Sequence, residues 1–287
     1  MDAMETTPIA LDVRLEFSRA AIQVIARDVG IRLLHIKGGT VDPQVRTGRR
    51  GGSDVDVIAD PRRVPTLHAE LVRQGWVVYS SFLEGSPFGH AQTYRHPEWG
   101  YLDLHRRFPG VRIPDEDAFD LLWADRASYA AAGIDCVTPS VDAQAVLFVL
   151  NAARDVDALG EEAASLWRRQ DEEERVRRSR LVRALRAEVA FAAALGDLER
   201  YRGRREYLLW KTVSRGGTRA VEWWARIKAA PTVGEALQTM LRAPLVNRAV
   251  LAHELGREPR VGDVIRAFVR RLGRALRPRS GGKERKT

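Results

Sequence analysis

Residues Lys37 to Asp56 read KGGTVDPQVRTGRRGGSDVD, and the end of this stretch decides the fold. Asp54-Val55-Asp56-Val57 alternates acid and apolar residues before running into Ile58-Ala59, which predicts a strand. Side chains two apart on a pleated strand point the same way, so Asp54 and Asp56 share a face. Two carboxylates roughly 6 to 7 Å apart on one face repel each other. A bound divalent cation reverses that cost. Upstream, Ile31-Arg32-Leu33-Leu34-His35-Ile36 is the β-branched and leucine-rich run of a buried strand, punctuated by Lys37-Gly38-Gly39. Two glycines after a strand permit a tight turn and a close backbone approach, and the following N–H groups can receive phosphate oxygens. Thr47 to Ser53, rich in glycine and arginine, is a loop by composition.

Working outward, Leu11, Leu15, Ala21, Ile22, Ile25 and Val29 predict an amphipathic helix that Gly30 ends. Pro61 with Val64, Leu67, Leu71 and Val72 predicts a helix closed by Gln74-Gly75, and Trp76 to Tyr79 a strand. Ser80 to His90 is expected to be a loop. Ala91–His96 and Trp99–His105 follow as strands joined by a short turn at His96-Pro97-Glu98, which favours an antiparallel hairpin. Tyr101, Asp103 and His105 then lie on one face, with Leu102 and Leu104 on the other. His105 shares the face of Asp103 and is expected to be structural, as is His35, a satisfied core residue inside an apolar strand.

After Pro114 the pattern turns helical. Asp115–Trp123 starts with acids, as helices do, and a short strand is expected at Ile134–Thr138. Pro139-Ser140 marks a boundary, with Ser140 placed to cap a helix from Val141 to about Arg154. Glu173–Arg177 and Glu174–Arg178 sit at i, i+4 on a solvated helix. Further helices are expected at Leu181–Leu195, Tyr201–Val213, Thr218–Ala229, Val233–Leu241 and Val261–Leu276, with Trp210, Trp223 and Trp224 as helix-packing residues. Arg277 to Thr287, basic and poor in apolar residues, is expected to be a disordered tail. The expectation is thus an α+β protein. A small mixed sheet with flanking helices occupies 1–138, and an all-helical domain occupies 139–276.

Length and composition bound the function. The 287 residues, 45% of them hydrophobic, suffice for a sizeable core and about one to two domains. Apolar runs such as Ala145–Leu150 fall far short of the roughly 18 residues that span a bilayer. The acidic start MDAMETTPIALD lacks the basic opening and apolar centre of a signal peptide, so a cytoplasmic location is expected. A single cysteine, Cys136, excludes an intrachain disulfide and a multi-cysteine zinc site. Residues 1–150 hold 16 Lys and Arg against 20 Asp and Glu, and residues 151–287 hold 31 against 18, which leaves −4 and +13. The basic half suits nucleic acid or another polyanion, and equally suits solvated arginine-rich helices.

Together, KGGT, Arg49-Arg50, Ser53-Asp54-Val55-Asp56-Val57 and Leu102-Asp103-Leu104-His105 resemble the polymerase-β-type nucleotidyltransferase superfamily, with its glycine-led turn, DxD strand and distal acidic strand. Within it they are similar to a largely uncharacterised bacterial nucleotidyltransferase family. The resemblance covers roughly 31–155. It implies Mg²⁺ or Mn²⁺ as cofactor, held by Asp54, Asp56 and Asp103, and an NTP as substrate. It also implies that Asp103 helps remove the acceptor's proton. Gly38, Gly39 and Ser53 would hold the triphosphate, and Lys37 or one of Arg49 and Arg50 would offset its charge. The acceptor could be a small molecule, a protein or tRNA. Similarity to abortive-infection and toxin–antitoxin nucleotidyltransferases implies the tRNA case, with a possible antitoxin partner, and a non-catalytic nucleotide- or RNA-binding protein would share the same fold. Two positions depart from the pattern: Gly39 stands where serine is frequent, and Leu150-Asn151-Ala152-Ala153 where related sequences often carry histidine.

Overall fold

The structure, a computed structural model, describes residues 9–46, 52–82, 88–230, 232–242, 251, 255, 257 and 259–275. The chain divides into two compact units. One comprises Met1–Tyr79, Ala91–Arg107 and Pro114–Gln144, and the other Ser80–His90, Phe108–Ile113 and Ala145–Thr287. The loop arginines Arg49 and Arg50 and the tail 277–287 lie outside the described residues.

The first unit is built on a five-stranded mixed sheet of β1 (Leu33–Ile36), β2 (Asp54–Ala59), β3 (Val77–Ser80), β4 (Ala91–His96) and β5 (Gly100–His105), in the order β1-β2-β5-β4-β3. The hairpin expected at 91–105 is present, with Thr93 opposite Asp103. β1 runs antiparallel to β2, with Ile36 opposite Asp56. β2 runs parallel to β5, pairing Asp54 with Tyr101, Asp56 with Asp103 and Ile58 with His105. Helix α1 (Leu11–Asp28) buries Leu15, Ser18, Arg19, Ile22, Gln23 and Ala26. Helices α2 (Val64–Arg73) and α3 (Asp115–Ala124) complete the layer, and Leu33, Leu34, Leu67, Leu71, Trp76, Tyr94, Leu102, Leu104 and Phe119 form a closed core. Asp60, just past β2, takes Arg32 at 2.7 Å and Arg62 at 2.7 Å, and both guanidiniums reach Asp120 on α3. Arg32 also lies 5.2 Å from the Phe119 ring centre, so the pair buries aliphatic and aromatic surface as well as charge.

Two local expectations change in this unit. A second hairpin joins β6 (Arg126–Ala131) to β7 (Ile134–Pro139), and the first of these strands carries no alternation that would reveal it. It is stapled to α1 from both sides. Gln23 Oε1 accepts the Val137 N–H at 3.0 Å, and Tyr129 donates to Glu16 at 2.7 Å. His35 is buried as expected but not satisfied, because among the described residues neither ring nitrogen has a hydrogen-bond partner. Burial, with Arg19 nearby, pushes its pKa down to about 3, so the ring is neutral.

Helix α4 (Val141–Ala152) carries the chain into the second unit. There α5 (Val156–Arg169), α6 (Glu172–Ala184), α7 (Glu188–Ala194), α8 (Tyr207–Arg215), α9 (Arg219–Ala229), α10 (Val233–Arg242) and α11 (Val261–Ala275) follow. Asp171 and Glu174 form a capping box at the start of α6. The single helix expected at 181–195 is two, broken where Arg186 takes φ 50°, and α8 starts later than the sequence suggested. Trp210 is buried and stacks on Phe88 with ring centres 5.9 Å apart. Trp224, expected to pack between helices, is instead 61% exposed. Among the described residues no helix is long and apolar enough to cross a membrane.

Candidate active site

The strand register decides which of the predicted residues meet. Because β2 and β5 are parallel with Asp56 opposite Asp103, two carboxylates 47 positions apart in sequence become neighbours on one face. His105, two residues past Asp103, points to the same side. One ligand atom from each of Asp56, Asp103 and His105 lies within 4.8 Å of the others. Asp54 is on the same face one step toward the start of β2, outside that trio. Ser53 is exposed just before it. Gln144 draws the segment after the glycine turn onto the same unit, since its side chain accepts from the Asp42 N–H at 2.7 Å and donates to the Pro139 carbonyl at 2.8 Å.

Lys37 follows β1 directly. Since Ile36 is opposite Asp56, the next residue is placed to reach over the carboxylate, and Lys37 Nζ donates to Asp56 Oδ1 at 2.7 Å. His105 Nε2 lies 2.9 Å from the same oxygen and 3.4 Å from the ammonium. Lys37 holds φ 64° and ψ −176°, a conformation that is essentially confined to glycine and costs about 1–3 kcal/mol for a residue with a Cβ. Thr40 Oγ1 ties the turn back by donating to the Lys37 carbonyl at 2.8 Å. On the far side, Thr93 Oγ1 donates to Asp103 Oδ1 at 2.6 Å and fixes the rotation of that carboxylate.

Burial pushes the Asp56 carboxyl up. The Lys37 ammonium and the His105 hydrogen bond outweigh it and hold the group well below the usual carboxylate range. For His105, burial and the Lys37 charge pull the pKa down while Asp56 opposes them. The ring is therefore neutral near pH 7 and adds no charge to the site.

The glycine turn also has a partner that the sequence did not reveal. Arg19 of α1, 4% exposed and paired with Glu16 at 2.7 Å, lies against Gly38 and Gly39. A Cβ at position 39 would stand 3.1 Å from Arg19 Nη1 and 3.3 Å from its Cζ. That contact accounts for glycine where the resembled superfamily often has serine.

The structure therefore joins Lys37, Asp56 and Asp103 with His105, and sets Gly38 and Gly39 beside them. It adds Thr93 and Arg19. The DLH spacing already placed His105 on the face of Asp103. Thr93 and Arg19 have no sequence signal, because their roles depend on strand pairing and helix docking.

No family model matches the sequence, and no curated protein matches it either. Solved structures to which the chain is similar include the lincosamide antibiotic adenylyltransferase LnuA bound to lincomycin, at 19% identity and a TM-score of 0.33 over 45% of this chain and 82% of that one. The antibiotic-resistance factor ANT(2'')-Ia aligns at 17% identity and a TM-score of 0.37 over 67% and 94%. A tRNA-processing enzyme in an apo form aligns at 14% identity and a TM-score of 0.27 over 93% and 88%.

Proposed function

We propose that this protein is a metal-dependent nucleotidyltransferase that moves a nucleoside monophosphate from an NTP to an acceptor hydroxyl and releases pyrophosphate. One observation carries the reading. Asp56 and Asp103 face each other on adjacent parallel strands, with Asp54 on the same face and a Lys-Gly-Gly turn at the side. The donor set suits a hard divalent cation, since carboxylate oxygens and a neutral imidazole converge within 4.8 Å. Mg²⁺ or Mn²⁺ held by Asp54, Asp56 and Asp103 would neutralise the triphosphate and acidify the acceptor hydroxyl.

The remaining chemistry belongs to the chain. Gly38 and Gly39 would offer their backbone N–H groups to phosphate oxygens, with the Ser53 hydroxyl next to Asp54 in sequence as a further donor. Lys37 and Arg50 offset triphosphate charge. Asp103, its rotation fixed by Thr93, accepts the proton as the acceptor oxygen bonds to the α-phosphorus. The bond from that phosphorus to the bridging oxygen breaks, and pyrophosphate leaves.

Incubating the protein with labelled NTPs, Mg²⁺ or Mn²⁺ and a cell extract, then identifying the labelled product by mass spectrometry, fixes nucleotide and acceptor together. Asp54→Ala combined with Asp56→Ala should abolish labelling. Turnover that survives the double substitution would sink the assignment.

A further inference from the structure

Lys37 occupies an unusual position for a residue expected to meet a triphosphate. Its ammonium touches one of the assigned metal ligands, Asp56 Oδ1 at 2.7 Å, and also lies 3.4 Å from His105 Nε2, which clusters with Asp56 and Asp103. Its side chain is only 24% exposed and that of Asp56 only 13%, so the pair is largely withdrawn from water. The backbone beneath holds a conformation suited to glycine, in a turn that already contains two glycines. Strain kept at such a place indicates that the side chain has a task there. A protein with Asp54, Asp56 and Asp103 on one face needs a compensating charge whenever no metal is bound.

We propose that Lys37 is the resident cation of this site: its ammonium neutralises Asp56 in the metal-free protein, competes with the divalent cation, and exchanges Asp56 for triphosphate oxygens when that cation arrives. This rests on the metal site assigned above. Lys37 thereby becomes a positioning residue that couples cation binding to triphosphate binding, because the charge displaced from the carboxylate is released beside the Gly38-Gly39 turn. An ammonium and a divalent cation cannot share Asp56 Oδ1 at contact distance, since their mutual repulsion grows as water is excluded.

The test compares wild type, Lys37→Met, Lys37→Arg and Asp56→Asn, without nucleotide. Free Mn²⁺ is followed by electron paramagnetic resonance, and thermal unfolding is followed in chelator and in Mn²⁺. Lys37→Met should tighten Mn²⁺ binding about tenfold, because no ammonium then competes for Asp56 Oδ1. It should also lower the unfolding midpoint in chelator and recover it in Mn²⁺. Lys37→Arg should stay within about threefold of wild type, because it keeps the charge on the carboxylate. Unchanged or weaker Mn²⁺ binding by Lys37→Met overturns the proposal, as does a destabilisation that Mn²⁺ does not reverse. Wild type that binds no Mn²⁺, or binds it equally well as Asp56→Asn, removes both this proposal and the nucleotidyltransferase reading. Asp56-dependent Mn²⁺ binding with the Lys37→Met response but no NTP turnover removes only the latter.

Discussion

Gly39→Ser places a side chain where Arg19 already stands. An added Cβ meets Nη1 at 3.1 Å and Cζ and Nη2 at 3.3 Å, closer than ordinary contact, so the guanidinium must retreat by a few tenths of an ångström. It has little freedom to do so. Arg19 is 4% exposed and held at 2.7 Å by Glu16, whose Oε1 also accepts from Tyr129 at 2.7 Å. Overpacking against such a fixed group costs about 1–2 kcal/mol, the lower part of the usual range for inserting atoms into packed protein. For a chain of this size that corresponds to a fall of roughly 2–8 °C in the unfolding midpoint. The backbone at Gly39, unlike that at Gly38 with φ 58°, is not left-handed, so the whole cost should come from the contact. Calorimetry of wild type, Gly39→Ser, Arg19→Ala and the double variant isolates it. Arg19→Ala alone is destabilising, and adding Gly39→Ser to it should cost nothing further, a coupling of about 1 kcal/mol or more. Strictly additive effects, or a Gly39→Ser variant as stable as wild type, would refute the reasoning.

Gly110 has φ 103°, and a Cβ there would lie 2.8 Å from Ala190 Cβ and 3.1 Å from Leu150 Cδ2, so Gly110→Ala should destabilise by about 2–4 kcal/mol, read as a lower urea midpoint. His35→Leu removes two buried ring nitrogens that have no partner, and should raise the thermal midpoint by the equivalent of about 1 kcal/mol; a fall would show that the imidazole is satisfied after all. At Asp60, burial pushes the carboxyl up, but hydrogen bonds from Arg62 and Arg32 hold it down at about 2 against an ordinary 3.8. A pKa lowered by folding contributes stability above the unfolded value and loses it as pH falls toward the folded one, so the advantage of wild type over Asp60→Asn should be full above pH 4 and vanish near pH 2. Arg32 and Arg62 are 36% and 45% exposed, and solvent screening reduces that advantage to about 1–2 kcal/mol; a gap that stays constant across this range in pH-dependent unfolding would overturn the assignment.

The sequence made the chemistry-bearing residue types visible where local periodicity encodes direction. Asp54-x-Asp56 and Asp103-x-His105 each announce a shared face, because period 2 is a property of the strand alone. The hairpin 91–105 was equally legible from its short turn. What stayed hidden depends on partners distant in sequence. β6, Arg126–Ala131, alternates nothing and is a strand only because β7 pairs with it. The break at Arg186 has neither glycine nor proline to mark it. Trp224 looks apolar in composition, yet its position on α9 turns it to solvent. His35 reads as an ordinary core residue, and only three-dimensional packing shows that nothing hydrogen-bonds to it.

The Lys37–Asp56 contact joins these two kinds of information. Neither residue predicts the other, since 19 positions and a long connection separate them. Once β1 and β2 pair with Ile36 opposite Asp56, the first residue past β1 must lie beside the DxD carboxylate, whatever the intervening loop does. A register slip of one residue would turn Asp56 toward the core and Val57 toward the site, burying a charge and exposing an apolar side chain, so the alternation of β2 enforces the pairing. The same register therefore fixes two things: the carboxylates gather on one face, and the glycine turn is delivered with its lysine against them. That lysine balances one of the negative charges gathered on the face. The proximity of Lys-Gly-Gly to the aspartates is thus a consequence of strand pairing, and so is the charge balance that the Lys37–Asp56 pair produces.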